Sequence, residues 1–519
     1  MKRVLAVILA VLMAFSLAAC NKKPDDGKKE TDASGREHVK IVWYLHAVNV
    51  GPGLDQMQEA VNNYLKDKLN TEIEFHYYRQ AEFKETINTV FNAGTYMDIV
   101  TIGNTGLNFD SNVTRNAFLD VTDLLPKYCP ETLKMLPDGA LEAYSYQGKV
   151  YGMPPVKDLA SWQMVQVNMD MLKDLGLEFP EHWNSYWDLL PLLYKVKEAR
   201  DAKYPDQAKN PVIDVLDDNR VKKFYLVDAI TGNYSTPYLC TTIKGVPDEC
   251  QIKNIKDDFT VFNFLETPEA LNWAKTIHQL VADGIYPFDF DTYDSDKYLT
   301  YNGSHLWDAN EGALFTPEDT YHFDAQISMS DLSIATRSYM MAGGMAITAQ
   351  SKYPDRALEV LELMNTDQYF ATLVRFGPEN VGWTDKDNDN IIELTDANSD
   401  ASARLWYCWY GWITGGLATS KTPSGYPGAE FGKKLLARNQ GAIGSSHMGF
   451  AFDSTNVQNE LAACNAIYES CYQTLLLGQE EDVEAIIAET NKKLYDSGLQ
   501  KLIDEAQKQM DAYRASTGK

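Results

Sequence analysis

Between Val39 and Gly103 the chain switches twice between two hydrophobic periods. "VKIVWYLHA" (39–47) is an apolar run of strand length. A Gly-Pro-Gly turn follows, and then apolar residues at Leu54, Met57, Val61 and Leu65, the spacing of one helix face. "TEIEFHYY" (71–78) alternates with period two. "AEFKETINTVFNAG" is helical and stops at Gly94, and "YMDIVTIG" reads as a buried strand. Parallel strands must be joined by long crossovers, so this β-α-β-α-β order predicts an α/β fold with a largely parallel sheet. Neither GxGxxG nor GxxxxGK[ST] follows these strands, so nucleotide binding has no support.

A chain of 519 residues is long enough for two or three domains and a sizeable core. Its formal charge of -26 repels phosphate, which argues against nucleic acid and anionic lipid as partners. Aromatic residues are abundant, with 30 Tyr, 20 Phe and 10 Trp. The cysteines form no CxxC pair and no metal-finger spacing. Cys464 and Cys471 would lie about 10.5 Å apart along a helix, too far for a disulfide. Cys240 and Cys250 flank "TTIKGVPDE", which leaves a hairpin disulfide and free buried thiols both open.

The N-terminus has its own logic. Lys2 and Arg3 precede a run, Val4 to Leu17, that is apolar but for Ser16 and too short to span a bilayer. Leu17-Ala18-Ala19-Cys20 resembles the bacterial lipobox, which implies cleavage after Ala19 and acylation of Cys20. Acyl chains on one thiol would hold the protein at a membrane surface. Asn21 to Glu37 is polar and cannot bury enough surface to fold. It reads as a tether with a reach of about 55 Å. Residues 1–19 are therefore assigned as signal peptide and 20–37 as lipidated cysteine and tether.

Further along, Gly148-Lys149, Tyr151-Gly152 and Pro154 precede Asn168, Asp170, Leu172, Gly176, Leu177, Pro180 and Trp183. This order resembles the bacterial extracellular solute-binding proteins of the sugar type, the substrate receptors of ABC importers. His182 departs from the threonine usual before that tryptophan. "NAGTYMDIVTIG", with Asp98 at the strand entrance, "FLDVTDLLPKY", "SKYPDRALEVLELMNTDQYFATLVRFG" and the tail "KKLYDSGLQKLIDEAQKQMDAYRAS" resemble further family segments. The likeness runs over most of residues 39–515, but 201–258 matches nothing. It implies a two-lobed, periplasmic-binding-protein-like α/β fold with discontinuous lobes joined by hinge crossings near 153–162 and 310–316. The N-terminal lobe is placed at 38–156 and 316–378, and the C-terminal lobe at 157–315 and 379–519.

A sugar offers apolar faces to aromatic rings and hydroxyls to polar side chains, so loops that mix the two are candidates. Ligands of open parallel sheets bind beyond the carboxyl ends of strands. Trp43, His46 and Asn49 lie at the end of the first strand, and Asn104 and Phe109 at the end of the third. Trp162 falls at the first crossing, Tyr321 just past the second, and Trp409 and Trp412 in "RLWYCWYGWITGG". The spacing of Trp406, Trp409, Tyr410 and Trp412 also fits a packed helix face. Trp183 and Trp187 read as core.

"DKDNDNIIELTD" places Asp385, Asp387 and Asp389 at loop positions one, three and five, with Asp396 at twelve. The pattern resembles an EF-hand-type calcium loop. Asn390 stands where that loop has glycine, and Asp396 where it has glutamate, so a structural calcium and a plain polar hairpin both stay open. No other cofactor is expected. GxSxG and HExxH are absent, and the histidines lack ligand spacing.

The reading is a non-enzymatic, monomeric lipoprotein on the outer face of the cell membrane. It would capture a carbohydrate, an oligosaccharide by preference, and deliver it to an ABC permease. Its membrane contact would be the lipid alone. The alternatives are a receptor for peptides or other small solutes, and an extracytoplasmic glycan hydrolase, which needs two carboxylates about 5 to 10 Å apart.

Overall fold

The computed structural model describes residues 31–47, 50–213, 224–230, 238–287, 300–303, 325–399, 404–406, 411–424 and 431–519. Two separate four-stranded sheets organise the chain. In the first, the spatial order is Gly344–Ile347, Ile99–Ile102, Val39–Ala47, Thr71–Arg79. The strand Val39–Ala47 runs parallel to both neighbours, and Gly344–Ile347 closes one edge antiparallel to Ile99–Ile102. The predicted β-α-β-α-β unit is therefore present.

Successive side chains of a strand face opposite sides. Ile41, Trp43 and Leu45 pack on Met57, Val61 and Leu65 of helix Leu54–Leu69, together with Leu358, Leu361 and Leu373. Tyr44 faces the other way, into a cluster with Phe83 and Ile87 of helix Gln80–Asn92. Both faces of the sheet are thus covered, as a parallel sheet requires.

The second sheet has the order Ile443–Gly444, Ala325–Ala335, Ser161–Asn168, Thr300–Gly303. Ala325–Ala335 is antiparallel to Ser161–Asn168, with a register break between Met329 and Ser333. Its core joins Val165 and Val167 to Trp183, Leu189, Phe224 and Trp273, and to Tyr468 and Leu502 from the C-terminal helices. Trp183 is buried and donates its indole N–H to Ser328 Oγ at 2.9 Å. Trp187 meets Phe224 edge-on at 4.7 Å. Both are packing residues, Trp187 on helix Tyr186–Lys203 and Trp183 in the segment that leads into it. The last three helices, Gln458–Leu477, Val483–Asp496 and Leu499–Thr517, complete this lobe.

Strand pairing corrects the expected lobe boundaries in two places. Residues 325–335 were expected in the first lobe, but they pair with Ser161–Asn168 and belong to the second. Residues 379–424 were expected in the second lobe, yet their described part packs on the first. Trp406 is buried there and donates to Val374 O at 2.7 Å, and the Lys421 N–H donates to Thr372 Oγ1 at 2.9 Å. The second lobe resumes with helix Phe431–Gln440, whose Arg438 donates to Ser330 O. The crossing expected at 310–316 lies outside the described residues.

In the stretch that matched no family segment, Val227–Ala229 pairs antiparallel with Cys240–Thr242. Cys240 and Cys250 are free and buried, which answers the disulfide question in favour of thiols. Among the described residues no helix is long and apolar enough to cross a membrane.

Asp98 ties the first sheet together. Its buried carboxylate accepts from Val42 N at 2.9 Å, Tyr96 Oη at 2.7 Å and Ser351 Oγ at 2.6 Å. Removing it takes the acceptor from three donors, those of Tyr96 and Ser351 being half-buried. Asp98→Ala is expected to cost about 3 kcal/mol or more in urea unfolding. A loss under about 1 kcal/mol, the net value of one ordinary hydrogen bond, would contradict this role.

Candidate functional site

The lobes meet where the chain passes between the two sheets. The first passage leaves the first sheet at Met153, which exchanges backbone hydrogen bonds with Met345, and enters the second at Ser161. The next runs from Ala335 to Gly344.

The loop after the third strand holds the passage from Ala335 to Gly344. Asn104 N donates to Met341 O at 2.8 Å and Thr105 Oγ1 to Ala342 O at 3.1 Å. Asp110 pairs with Arg337 at 2.6 Å, and Tyr144 Oη donates to Gly343 O at 3.0 Å. Gly103 can approach this closely because it has no Cβ; one would sit 2.3 Å from Met341 O. The Asn104 side chain is exposed at this junction, consistent with a contact residue.

Two aromatic candidates are corrected. Trp43 is fully buried, 5.7 Å from the Phe75 ring, because period two turns it toward helix Leu54–Leu69. Phe109 is buried between Phe118 and Tyr144, since it opens the short helix Phe109–Val113 that Asn108 caps. Neither ring is available to a ligand. His46 is also inside, 5.0 Å from the Phe83 ring, and burial lowers its pKa to about 4. It is a neutral core residue beneath the strand end.

Trp162 lies in the strand Ser161–Asn168, opposite Ser333, and Trp412 in the turn Gly411–Thr414. Their side chains, together with Asn49, Tyr321, Trp409 and Cys20, lie outside the described residues.

The junction also contains groups that the aromatic search passed over. Lys157 and Asp158 have side chains only 4% and 1% exposed, with Nζ 3.7 Å from Oδ1. Burial raises the Asp158 carboxyl to about 6 and lowers Lys157, each opposed by the charge of the other. Two asparagines, Asn365 and Asn439, hold the backbone on either side of this pair. A Lys-Asp dipeptide inside the apolar "PPVKDLA" was the available signal.

Of the four metal candidates, three converge. Carboxylate oxygens of Asp385, Asp387 and Asp389 lie within 4.8 Å of one another, and Asp396 is not among them. The segment is a hairpin turn: Trp383–Thr384 pairs antiparallel with Ile391–Leu394, and Asn388 and Asn390 take positive φ in between. Asp396 falls beyond the second strand, where it begins the turn Asp396–Ser399. Asp385 is engaged by Lys421 Nζ at 2.6 Å and by Asn388 N at 2.8 Å. Those contacts hold its pKa below the usual carboxylate range against the opposing effect of burial. The oxygens suit a hard cation, and the Lys421 ammonium balances one of them. Three of the four expected ligands therefore converge, and Lys421 shares one of them.

Comparison with known proteins places these lobes in context. The family model for bacterial extracellular solute-binding protein matches residues 59–380. The chain belongs to that family. A domain of unknown function (DUF3502) matches residues 446–515, the C-terminal helices. A carbohydrate ABC transporter substrate-binding protein of Streptococcus pneumoniae is 23% identical over 514 residues, covering 97% of this chain and 96% of that one. The crystal structure of the N-glycan transport solute-binding protein NgtS from S. pneumoniae aligns with a TM-score of 0.69 at 22% identity, covering 91% of this chain and 98% of that one. An EF-hand mutant of the S. pneumoniae protein FusA, in complex with fructo-nystose, aligns at 0.53 and 15% identity, covering 92% and 99%. These likenesses carry the two-lobed α/β fold.

His46 gives a signed pH dependence. Its pKa is about 4 in the fold against 6.5 for the free side chain. Between those values only the unfolded chain takes up the proton. The contribution to stability is complete above 6.5 and is lost as pH falls toward 4, on the order of 3 kcal/mol in all. Buried His447, also lowered by burial, acts with the same sign. Denaturant midpoints measured from pH 7 to pH 4 should fall steeply for the wild type and less for His46→Leu. Parallel curves would remove His46 from the account.

Proposed function

We propose that this protein is the extracytoplasmic receptor of an ABC importer and captures an oligosaccharide between its two lobes. The observation that carries the reading is family membership together with near-complete alignment to a carbohydrate ABC transporter substrate-binding protein. Bound sugars in the names of solved relatives, such as Man1GlcNAc for NgtS and kestose for FusA, point to a glycan of a few residues. The receptor performs no covalent step. Binding energy closes the lobes, and the closed form is what a permease would engage. Exposed Asn104 and the charged Asp110–Arg337 pair supply polar contacts at the junction. Trp162 and Trp412 are the proposed stacking rings.

Cys20 is the proposed lipid anchor and residues 21–30 the tether. The expected tether ends earlier than Glu37, because Thr31 pairs with Glu37 across a turn and Arg36 is held by Glu359 at 3.0 Å and by Asn70. The wild type should partition into detergent during phase separation, whereas Cys20→Ser should stay in the aqueous phase. Equal partition of both proteins would refute the anchor.

A thermal-shift panel tests the ligand class. A ligand at 100 times its Kd stabilises by about 2.7 kcal/mol, enough to raise the melting temperature by several degrees. We expect one class of oligosaccharide to do so without being cleaved. Peptides alone giving the shift would overturn the sugar, and glycan cleavage would overturn the receptor. Because Lys421 already neutralises Asp385, calcium is expected to leave the melting temperature unchanged. A calcium shift of several degrees would restore the metal loop.

A further inference from the structure

We propose that Asn365 and Asn439, one from each lobe, are positioning residues that fix the first interlobe passage and thereby set the resting angle of the lobes. The inference rests on the receptor reading above and names the groups that govern its closure.

The passage from Met153 to Ser161 is single chain between two sheets, and its peptide groups are buried. Asn439, on helix Phe431–Gln440, donates Nδ2–H to Lys157 O at 2.6 Å and accepts Leu159 N–H on Oδ1 at 2.9 Å. One side-chain amide thus does for residue 158 what a neighbouring strand would do. Asn365, on helix Pro354–Thr366, accepts on one oxygen both Val156 N at 3.3 Å and Gly416 N at 3.1 Å. It therefore ties the first passage to the segment around Gly416. Its own Nδ2 is satisfied by Thr132 Oγ1 and Leu361 O.

Both amides lie inside the protein, at 2% and 0% exposure. Burying an amide costs free energy unless its bonds are made; both of Asn439's are made to the passage, while Asn365 divides its bonds between Val156 and the first lobe. A hinge needs a few residues that move between flanks that do not. Here the fixed flanks are Val156, held from the first lobe, and Leu159, held from the second. The pivot between them is Lys157, because Leu417 N holds Val156 O at 3.3 Å on one side and Asn439 holds Lys157 O and Leu159 N on the other. Gly415 and Gly416, both at positive φ, abut Asn365; a Cβ on Gly415 would fall 2.4 Å from Asn365 Oδ1. The space is shaped to that one carbonyl oxygen.

Small-angle scattering of the ligand-free protein, paired with oligosaccharide titration, tests this. For Asn439→Ala and Asn365→Ala the ligand-free distance distribution should broaden. Affinity should fall about fivefold or more, although neither residue is assigned a sugar contact. Asn439→Asp keeps the acceptor for Leu159 and loses the donor to Lys157 O, so an intermediate effect is expected. A lowered melting temperature with unchanged scattering and affinity would make both residues merely structural. A changed affinity with unchanged ligand-free scattering would make them contact residues. Either result overturns the proposal. Should the variants fail to fold, hydrogen exchange on the wild type decides: the Val156 and Leu159 amides should stay protected with and without ligand, and fast exchange at either would refute the pins. If no oligosaccharide binds the wild type, the receptor reading falls while ligand-free scattering still judges this one.

Discussion

A chain that passes repeatedly between two lobes has to bury peptide groups where no sheet continues. Each of those N–H and C=O groups needs a partner, because an unpaired one inside a protein costs about as much as a lost hydrogen bond. The rest of the architecture depends on how that requirement is met. Side chains take the place of strands: Asn365 and Asn439 on the first passage, and Tyr144 and Thr105 on the passage into Gly344–Ile347. Each lobe keeps its own core, with Trp43 and Leu361 in one and Trp183 and Trp273 in the other. The junction is polar and directional where the lobes are apolar. That division allows two rigid bodies to turn against each other while a narrow set of bonds defines the axis.

The fold was legible because its signals are local. Strand and helix periods between Val39 and Gly103 come from neighbours within a few residues, and so does the Asn168 cap that starts helix Met169–Leu175. The junction was not legible because its partners are far apart in the chain. Asn365 meets Val156 across 209 residues, and Asn439 meets Leu159 across 280. No period or motif reports such a pairing. The boundary near 316 failed for a related reason. Residues 325–335 form a strand in either lobe equally well, and only the partner, Ser161–Asn168, decides which.

The candidate site shows the same limit in single residues. Trp43 has the composition of a sugar platform and the position of a strand end, yet period two assigns it to the covered face. His46 lies on the opposite face from Trp43 and is covered too, because helix Gln80–Asn92 brings Phe83 over it. An open-sheet rule names the right end of the sheet but not the depth of each residue along it. Asn104, two residues past its strand, is exposed where Trp43 and His46, still within theirs, are not. For "DKDNDNIIELTD" the alternating acids were real, and three of them converge. The hairpin register then carried Asp396 away, and Lys421, 36 residues from Asp385, supplied a charge that the loop itself does not encode.

The Lys157–Asp158 pair remains to be placed in this scheme. A buried ion pair seldom adds stability, since desolvating both charges offsets their attraction and apolar residues of similar size often pack as well. Its position is more telling than its energy. Lys157 is the pivot and Asp158 lies on the side that Asn439 holds, between Val156 and Leu159, whose N–H groups are held from opposite lobes. Lys157 Nζ also donates to Asp158 O at 2.9 Å, so the ammonium is held at the passage by its neighbour's carbonyl as well as by the carboxylate. Two amides fix the ends of the pivot. A closing motion guided in this way brings the same faces of the two lobes together each time, which a receptor with one ligand site requires.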